Sequence, residues 1–413
     1  MTSSTSHLSN VWFSVTPLEV SHGQGCWVTT TSGEEYLDFA AGIAVNSTGH
    51  AHPKVAEAIA AQAQRFIHAQ VNVFKHDLLE PLAAKLAELA PGRIDTFFFA
   101  NSGAEITEAS IKLAKQITKR PHTVVFSGSF HGRTHMAMAM TTSKTGYRAG
   151  HAPLPSGVFV APFPDLLAPD QDAEVAKALK GFDHLLKSMT APEETAAVIM
   201  EPVLGEGGYL PVPKAFMQGI VERCREHGIM FIADEVQTGF GRTGKMFAVE
   251  HYDIEPDIIC MAKGIASGFP FSALGTRREL DDKWPKGSHG GTYGGNAMGC
   301  AAALATIELM EDPAFLANVV ARGEQLQAGL LELQKEHPGI AQVRALGLMV
   351  ATEFDDAARV SAITKHCLEE GHLILMNAGT YGRSLRWMPP LVVSEREIDL
   401  ALAAFAAALK ATA

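Results

Sequence analysis

Apolar residues recur along this chain with two different periods. Short runs rich in Val, Ile and Phe have the length and composition of strands buried on both faces: TFFFAN (96–101), HTVVFSG (122–128), AAVIMEP (196–202), IMFIADEV (229–236) and DIICMAK (257–263). Stretches with helical spacing separate several of them. A helix from Glu105 puts Ile106, Ala109, Leu113 and Ile117 on one face, and FMQGIVERCREHG (216–228) follows the same rule. From about His52 to Thr306 the two patterns alternate, which predicts an α/β unit with a largely parallel sheet flanked by helices. Before it, residues 11–47 read as short strands and turns ending in EYLDFAAGIAV. After it, helical patterns at 299–311, 316–337 and 395–410 predict an α+β C-terminal unit. The polar opening MTSSTSHLSN reads as a frayed end.

Composition narrows the class. At 413 residues, 47% hydrophobic and 19% charged, the chain is expected to fold as two or three globular units. A formal net charge of −11 argues against a nucleic-acid partner, which would call for a basic patch. The five cysteines (Cys26, Cys224, Cys260, Cys300 and Cys367) are scattered without a CxxC, as reduced thiols in a cytosol would be. No Lys or Arg precedes Lys54, and no apolar stretch approaches the roughly 20 residues of a membrane span. A soluble cytoplasmic protein with no membrane contact is expected.

Two motifs mislead. GFGRTG (239–244) matches GxGxxG, and with Lys245 it matches the start of a P-loop. A dinucleotide fingerprint needs a helix opening at the last glycines, and a P-loop needs Ser or Thr where Met246 stands, so a plain loop is the better reading. His131 and His135 have the spacing of a helical zinc pair, but Gly132 occupies the place of the metalloprotease Glu. His50 and His52 flank a turn before Pro53. All four are read as polar loop histidines, with no metal.

Four segments at the carboxyl ends of predicted strands carry complementary chemistry, and this is where open α/β sheets bind ligands. Ser102, Gly103 and Ala104 lie between a strand and a helix, where free backbone N–H groups favour a phosphate; an ordinary N-cap paired with Glu105 is the competing reading. Phe130 could stack on a flat ring and Arg133 could pair a carboxylate, although, taken alone, a core aromatic and a surface charge are the commoner readings. Asp234 ends an apolar strand with Val236 on the same strand face, so it needs a cation such as a protonated pyridine, or else is a cap or a hidden salt bridge. Lys263 ends the run IICMA, where desolvation would lower its pKa for Schiff-base chemistry; a lysine snorkelling from a strand end is the alternative. Phosphate cradle, ring stack, pyridinium partner and amine together describe a pyridoxal-phosphate site.

At this point the sequence closely resembles the class III aminotransferases of fold type I, the ornithine and 4-aminobutyrate type. EYLDFAAGIAV, GHAHPKV, NSGAE, SFHGRTH, EPVLGEGG, IADEVQTGFGRTG, MAKGIASGFP, GGTYGGN and LRWMPPL match in order and spacing. The resemblance implies a smaller α+β domain made from both chain ends (1–48 and 306–413) beside a large cofactor domain (49–305). It implies that Lys263 forms the Schiff base with pyridoxal 5'-phosphate and then shuttles the substrate proton, and that Asp234 holds the pyridinium. Phe130 and Val236 should lie on the two ring faces, Gln237 on the ring hydroxyl, His131 beside the cofactor, and Ser102, Gly103 and Ala104 on the phosphate. Thr292 should reach the phosphate of a neighbouring subunit, which implies a homodimer with shared active sites, or a tetramer built from it.

For the substrate, the resemblance assigns the distal carboxylate to Arg133 and the α-carboxylate of glutamate to Arg386. Glu206 should neutralise Arg386 when the donor lacks an α-carboxylate, and Ile43 should form a pocket wall. The expected partners are therefore a small amino donor and 2-oxoglutarate, with 4-aminobutyrate the leading donor. Acetylornithine or ornithine aminotransferase is the near alternative and an amino-acid racemase of the same fold a remote one. A non-catalytic binding protein would be expected to lack Lys263 or Asp234. Three positions depart from the usual pattern: Leu204, Ala297 and Trp387. Leu204 and Trp387 are expected to reshape the pocket near the substrate.

Overall fold

The computed structural model describes residues 7–412. Most of the expected frayed end therefore lies outside the described residues. A seven-stranded sheet holds the centre, in the order Thr96–Ala100, Ser272–Thr276, Ile258–Met261, Met230–Asp234, Thr195–Met200, His122–Phe126, Val158–Ala161. All neighbours are parallel except Ser272–Thr276, which runs antiparallel to both of its partners. The sequence pattern did not show that strand or Val158–Ala161. Residues 272–276 (SALGT) have too little apolar bulk to stand out, and they are buried because the strand lies inside the sheet, between two others.

The strands are apolar on both sides because helices cover both. Every residue of Thr195–Met200 is buried. Helix Gly103–Thr118 turns Ile106, Ala109 and Leu113 inward with no exposed surface, as its spacing predicts. Helix Ala297–Met310 is apolar nearly all round because it is buried nearly all round, packed against helix Pro53–Arg65. Its N-terminus explains the Ala297 departure. Asn296 caps the helix by accepting from Met298 N (2.9 Å), so residue 297 is the first helical position, where proline loses no needed hydrogen bond and alanine serves as well.

The C-terminal region forms a second, antiparallel sheet in the order Ile340–Leu346, Met349–Phe354, Ser384–Trp387, Met376–Ala378. Helices Pro313–Glu336, Ala357–Glu369 and Glu395–Ala411 pack on it. The first of these starts at an Asp312 cap, and the last at a capping box between Ser394 and Glu397. Strands Val20–Gln24, Trp27–Thr30 and Glu35–Asp38 form a third sheet, which Leu373–Ile374 extends by parallel pairing. The two ends of the chain thus meet.

Trp387 does not reach the substrate pocket. It is fully buried, packs edge-on against Phe405 (centroids 4.8 Å apart), and lines no part of the cavity described below. Leu204 is likewise buried, in the short strand Val203–Leu204, and lines none of it. Neither side chain lines the cavity, so these two departures can act on it only from behind its wall: strand alternation aims Arg386 at the cavity and Trp387 into the core.

Among the described residues, no helix is long and apolar enough to cross a membrane. All five cysteines are free and buried.

Candidate active site

A cavity of about 740 Å³ opens at the carboxyl ends of the central strands. It gathers Ile43, Ser102, Gly103, Ala104, Phe130, His131, Arg133, Glu206, Asp234, Val236, Gln237, Lys263 and Arg386, every residue named from the sequence except Thr292. Thr292 is exposed and outside the cavity of its own chain.

The loop 101–105 forms an ordinary N-cap and opens on the cavity. Ser102 caps the helix by accepting from Glu105 N (3.3 Å), and the Glu105 carboxylate reaches back to Asn101 N (3.2 Å). The first turn of that helix faces the cavity, so its free N–H groups and dipole are available to an anion. Gly103 is required by space. A Cβ there would lie 2.8 Å from Val236 Cγ1.

Asp234 ends strand Met230–Asp234, and Val236 lies beyond it in a turn. The two do not share a strand face, as the pattern suggested. Asp234 Oδ1 accepts from Val236 N (3.1 Å), and this local bond turns the chain and returns Val236 to the same cavity. The other oxygen, Oδ2, lies 2.7 Å from His131 Nδ1. His131, still in a loop, is therefore a buried partner of Asp234.

Glu201, the first residue of EPVLGEGG, lines the same cavity as this pair. Its carboxyl accepts from Phe130 N (2.8 Å) and Gly205 N (2.9 Å), fixing two cavity loops. Burial raises its pKa, the positive potential of His131 opposes that, and Asp234 adds to it. A carboxyl ending the apolar strand AAVIM carries the same signal that marked Asp234.

Lys263 opens the 3₁₀ turn Lys263–Ala266 with φ +47, a left-handed conformation costly for a side-chain-bearing residue. Desolvation brings its pKa down from the ordinary 10.5 to about 8, although Glu206 pulls the other way. Ile43 is also left-handed (φ +65), within the turn Ala41–Ala44, and is 39% exposed at the cavity mouth. Asp38 Oδ1 accepts from Ala40 N and Ala41 N and so anchors that turn, while His50 Nε2 lies 2.8 Å from Asp38 Oδ2.

On the far wall, Arg386 donates from Nη1 to Glu206 Oε1, with 1% and 9% of the two residues exposed. Desolvation works against both charges, but their mutual attraction outweighs it: Glu206 is held below its usual range and Arg386 above. Tyr147 donates to Glu206 Oε2 (2.9 Å), and Arg133 lies over the Tyr147 ring. Neither Tyr147 nor Lys144, which also lines the cavity, was flagged in the sequence. Both come from an irregular loop with no periodic signal.

The two misleading motifs resolve structurally. GFGRTG forms turns, and its Arg242 donates from Nη1 to Leu348 O (3.2 Å) and Pro389 O (2.6 Å), tying the loop to the C-terminal region. His135 is exposed, but it opens the helix His135–Met140 and does not lie in the loop expected for it.

The sheet, its carboxyl-end cavity and the lysine at its floor define a pyridoxal-phosphate-dependent transferase. Residues 8–409 match the class-III aminotransferase family, and the chain belongs to it. It is 40% identical to a 5-aminovalerate aminotransferase of Pseudomonas putida, covering 94% of this chain and 92% of the relative. It is 38% identical to a 4-aminobutyrate aminotransferase of Escherichia coli (92% and 91%) and 40% identical to an acetylornithine aminotransferase of Archaeoglobus fulgidus (93% and 93%). A crystal structure of a Bacillus anthracis aminotransferase superposes with a TM-score of 0.91 at 31% identity, covering 97% of this chain and 96% of that one.

The cavity fits the family's cofactor. Gln237 Oε1 and His131 Nε2 are buried with no hydrogen-bond partner among the described residues, and both residues line the space a polar ring would enter.

Proposed function

We propose that this enzyme transfers the amino group of an ω-amino acid, 4-aminobutyrate foremost, to 2-oxoglutarate, giving a semialdehyde and glutamate. One observation carries the reading. One cavity holds Lys263, a guanidinium with no ion-pair partner among the described residues (Arg133), and a second guanidinium (Arg386) already neutralised by a carboxylate of the same chain (Glu206). A donor with a single carboxylate, distal to its amine, needs only Arg133. Glutamate needs both arginines, and Glu206 must then give up Arg386. A buried guanidinium left without an anion is heavily penalised, so the internal carboxylate serves while the ω-donor is bound.

Pyridoxal phosphate, when bound, supplies a carbonyl for the amine and a ring that takes up electron density from the bond being broken. Ser102, Gly103 and Ala104 would hold its phosphate, Gln237 its ring hydroxyl, and Phe130 and Val236 its two faces. Asp234, oriented by His131, would hold a proton on the ring nitrogen. Lys263 Nζ, part-neutral near physiological pH, is the amine that anchors the cofactor and, once displaced, moves the proton at the substrate carbon. Ile43 would limit the donor's width. Thr292, exposed on its own chain, would complete the phosphate site of a second subunit in a homodimer. A cytoplasmic location belongs to the same proposal.

The acetylornithine relative keeps one rival reading alive, since acetylornithine also presents its amine far from its carboxylate. A donor screen separates the two. The yellow holoenzyme should bleach with 4-aminobutyrate or 5-aminovalerate and recover with 2-oxoglutarate. Bleaching by acetylornithine but not by unbranched ω-amino acids would overturn the assignment of donor.

A further inference from the structure

Tyr147 plays no part in the roles above, yet three contacts converge on it. It ends the 3₁₀ turn Thr145–Tyr147, in the loop that follows helix His135–Met140. Its hydroxyl donates to Glu206 Oε2 at 2.9 Å. The Arg133 guanidinium carbon lies 4.5 Å from the centre of its ring, a cation–π distance. Phe130 meets the same ring edge to face, with centroids 5.3 Å apart. One side chain therefore touches Arg133 directly and Arg386 through Glu206.

We propose that Tyr147 is a positioning residue that sets the balance between donors with one carboxylate and donors with two; this rests on the ω-amino-acid reading. The Glu206 carboxylate has two oxygens with separate partners, Arg386 on Oε1 and Tyr147 on Oε2. A second substrate carboxylate must take Arg386 away from Glu206. The phenol bond holds Glu206 where it is, so it opposes the dicarboxylate and favours the ω-donor. The ring separately braces Arg133, which both kinds of donor use. Desolvation first, and then Glu206, push the phenol up to about 12, so it remains a donor throughout the neutral range.

The two functions separate by substitution. Tyr147→Phe keeps the ring and removes the donor; Tyr147→Leu removes both. Binding to the holoenzyme is measured by calorimetry with two unreactive probes of equal length, glutarate with two carboxylates and pentanoate with one. Single-turnover rates with glutamate and with 4-aminobutyrate are measured alongside.

Tyr147→Phe should tighten glutarate by roughly three- to tenfold, the scale of an ordinary net hydrogen bond, and leave pentanoate unchanged. The glutamate half-reaction should gain through KM, with kcat little altered. Tyr147→Leu should weaken pentanoate as well. In a Glu206→Ala background, Tyr147→Phe should no longer change the glutarate-to-pentanoate ratio. An unchanged ratio in Tyr147→Phe alone, or the same shift with and without Glu206, would overturn the proposal. Wild-type enzyme that ignores every ω-amino acid would instead defeat the underlying reading, and the two probes would still report on Tyr147.

Discussion

Asp234 Oδ2 and His131 Nδ1 lie 2.7 Å apart, both buried, on segments 103 residues apart in sequence. The pair fixes the Asp234 carboxyl at the cavity wall and leaves its other oxygen on the Val236 amide. A carboxyl held so firmly is suited to keeping a proton on a ring nitrogen. Asp234→Ala should slow substrate deprotonation by at least about 10²–10³-fold, the scale of losing a preorganised charge partner, while the fold largely survives. Single-turnover kinetics would check this. Half of wild-type turnover would show Asp234 to be structural only.

Lys263→Ala should still bind pyridoxal phosphate through the loop at 102–104 and the ring contacts, but lose multiple turnover. Absorbance of the purified variant and steady-state assays are sufficient. Transamination at the wild-type rate would remove Lys263 from the chemistry.

The depressed pKa of Lys263 gives a pH signature in cofactor-free protein. Between about 8 in the folded state and the ordinary 10.5 unfolded, the unfolded chain carries the extra proton. Stability should therefore rise with pH across that window in the wild type, relative to Lys263→Met. Urea midpoints at pH 7 and pH 10 would show it. A difference between the two proteins that does not change with pH would mean the amine is not desolvated.

Gly103→Ala should weaken cofactor binding by about tenfold or more, because its Cβ would lie 2.8 Å from Val236 Cγ1 and one of the two must move. Val236→Ala removes that methyl and should restore part of the loss in the double variant. Cofactor titration of the three proteins decides it. No rescue would mean that Gly103 acts through backbone freedom instead.

Much of this was legible in the sequence because chemistry and pattern coincided there. Asp234 ends an apolar strand and Lys263 follows another by two residues, where burial desolvates its amine. Ser102 could be read as both cap and cradle, and it sits where both can be true. Other features depended on tertiary structure. His131 looked like a loop histidine because its partner is 103 residues away. Trp387 was expected to reshape the pocket near the substrate, but alternation along strand Ser384–Trp387 sends successive side chains to opposite faces and puts its ring in the core. Tyr147 and Lys144 sit in an irregular loop whose path to the cavity no local periodicity encodes.

The most direct test of the proposed reaction is the single-turnover rate of each half-reaction in Glu206→Ala. With its internal partner gone, Arg386 should accept glutamate more readily, while the 4-aminobutyrate half-reaction falls roughly 10–100-fold. Arg386→Ala should do the reverse. Equal losses in both halves for both variants would contradict the exchange of carboxylates on Arg386, and with it the assignment of an ω-amino-acid donor.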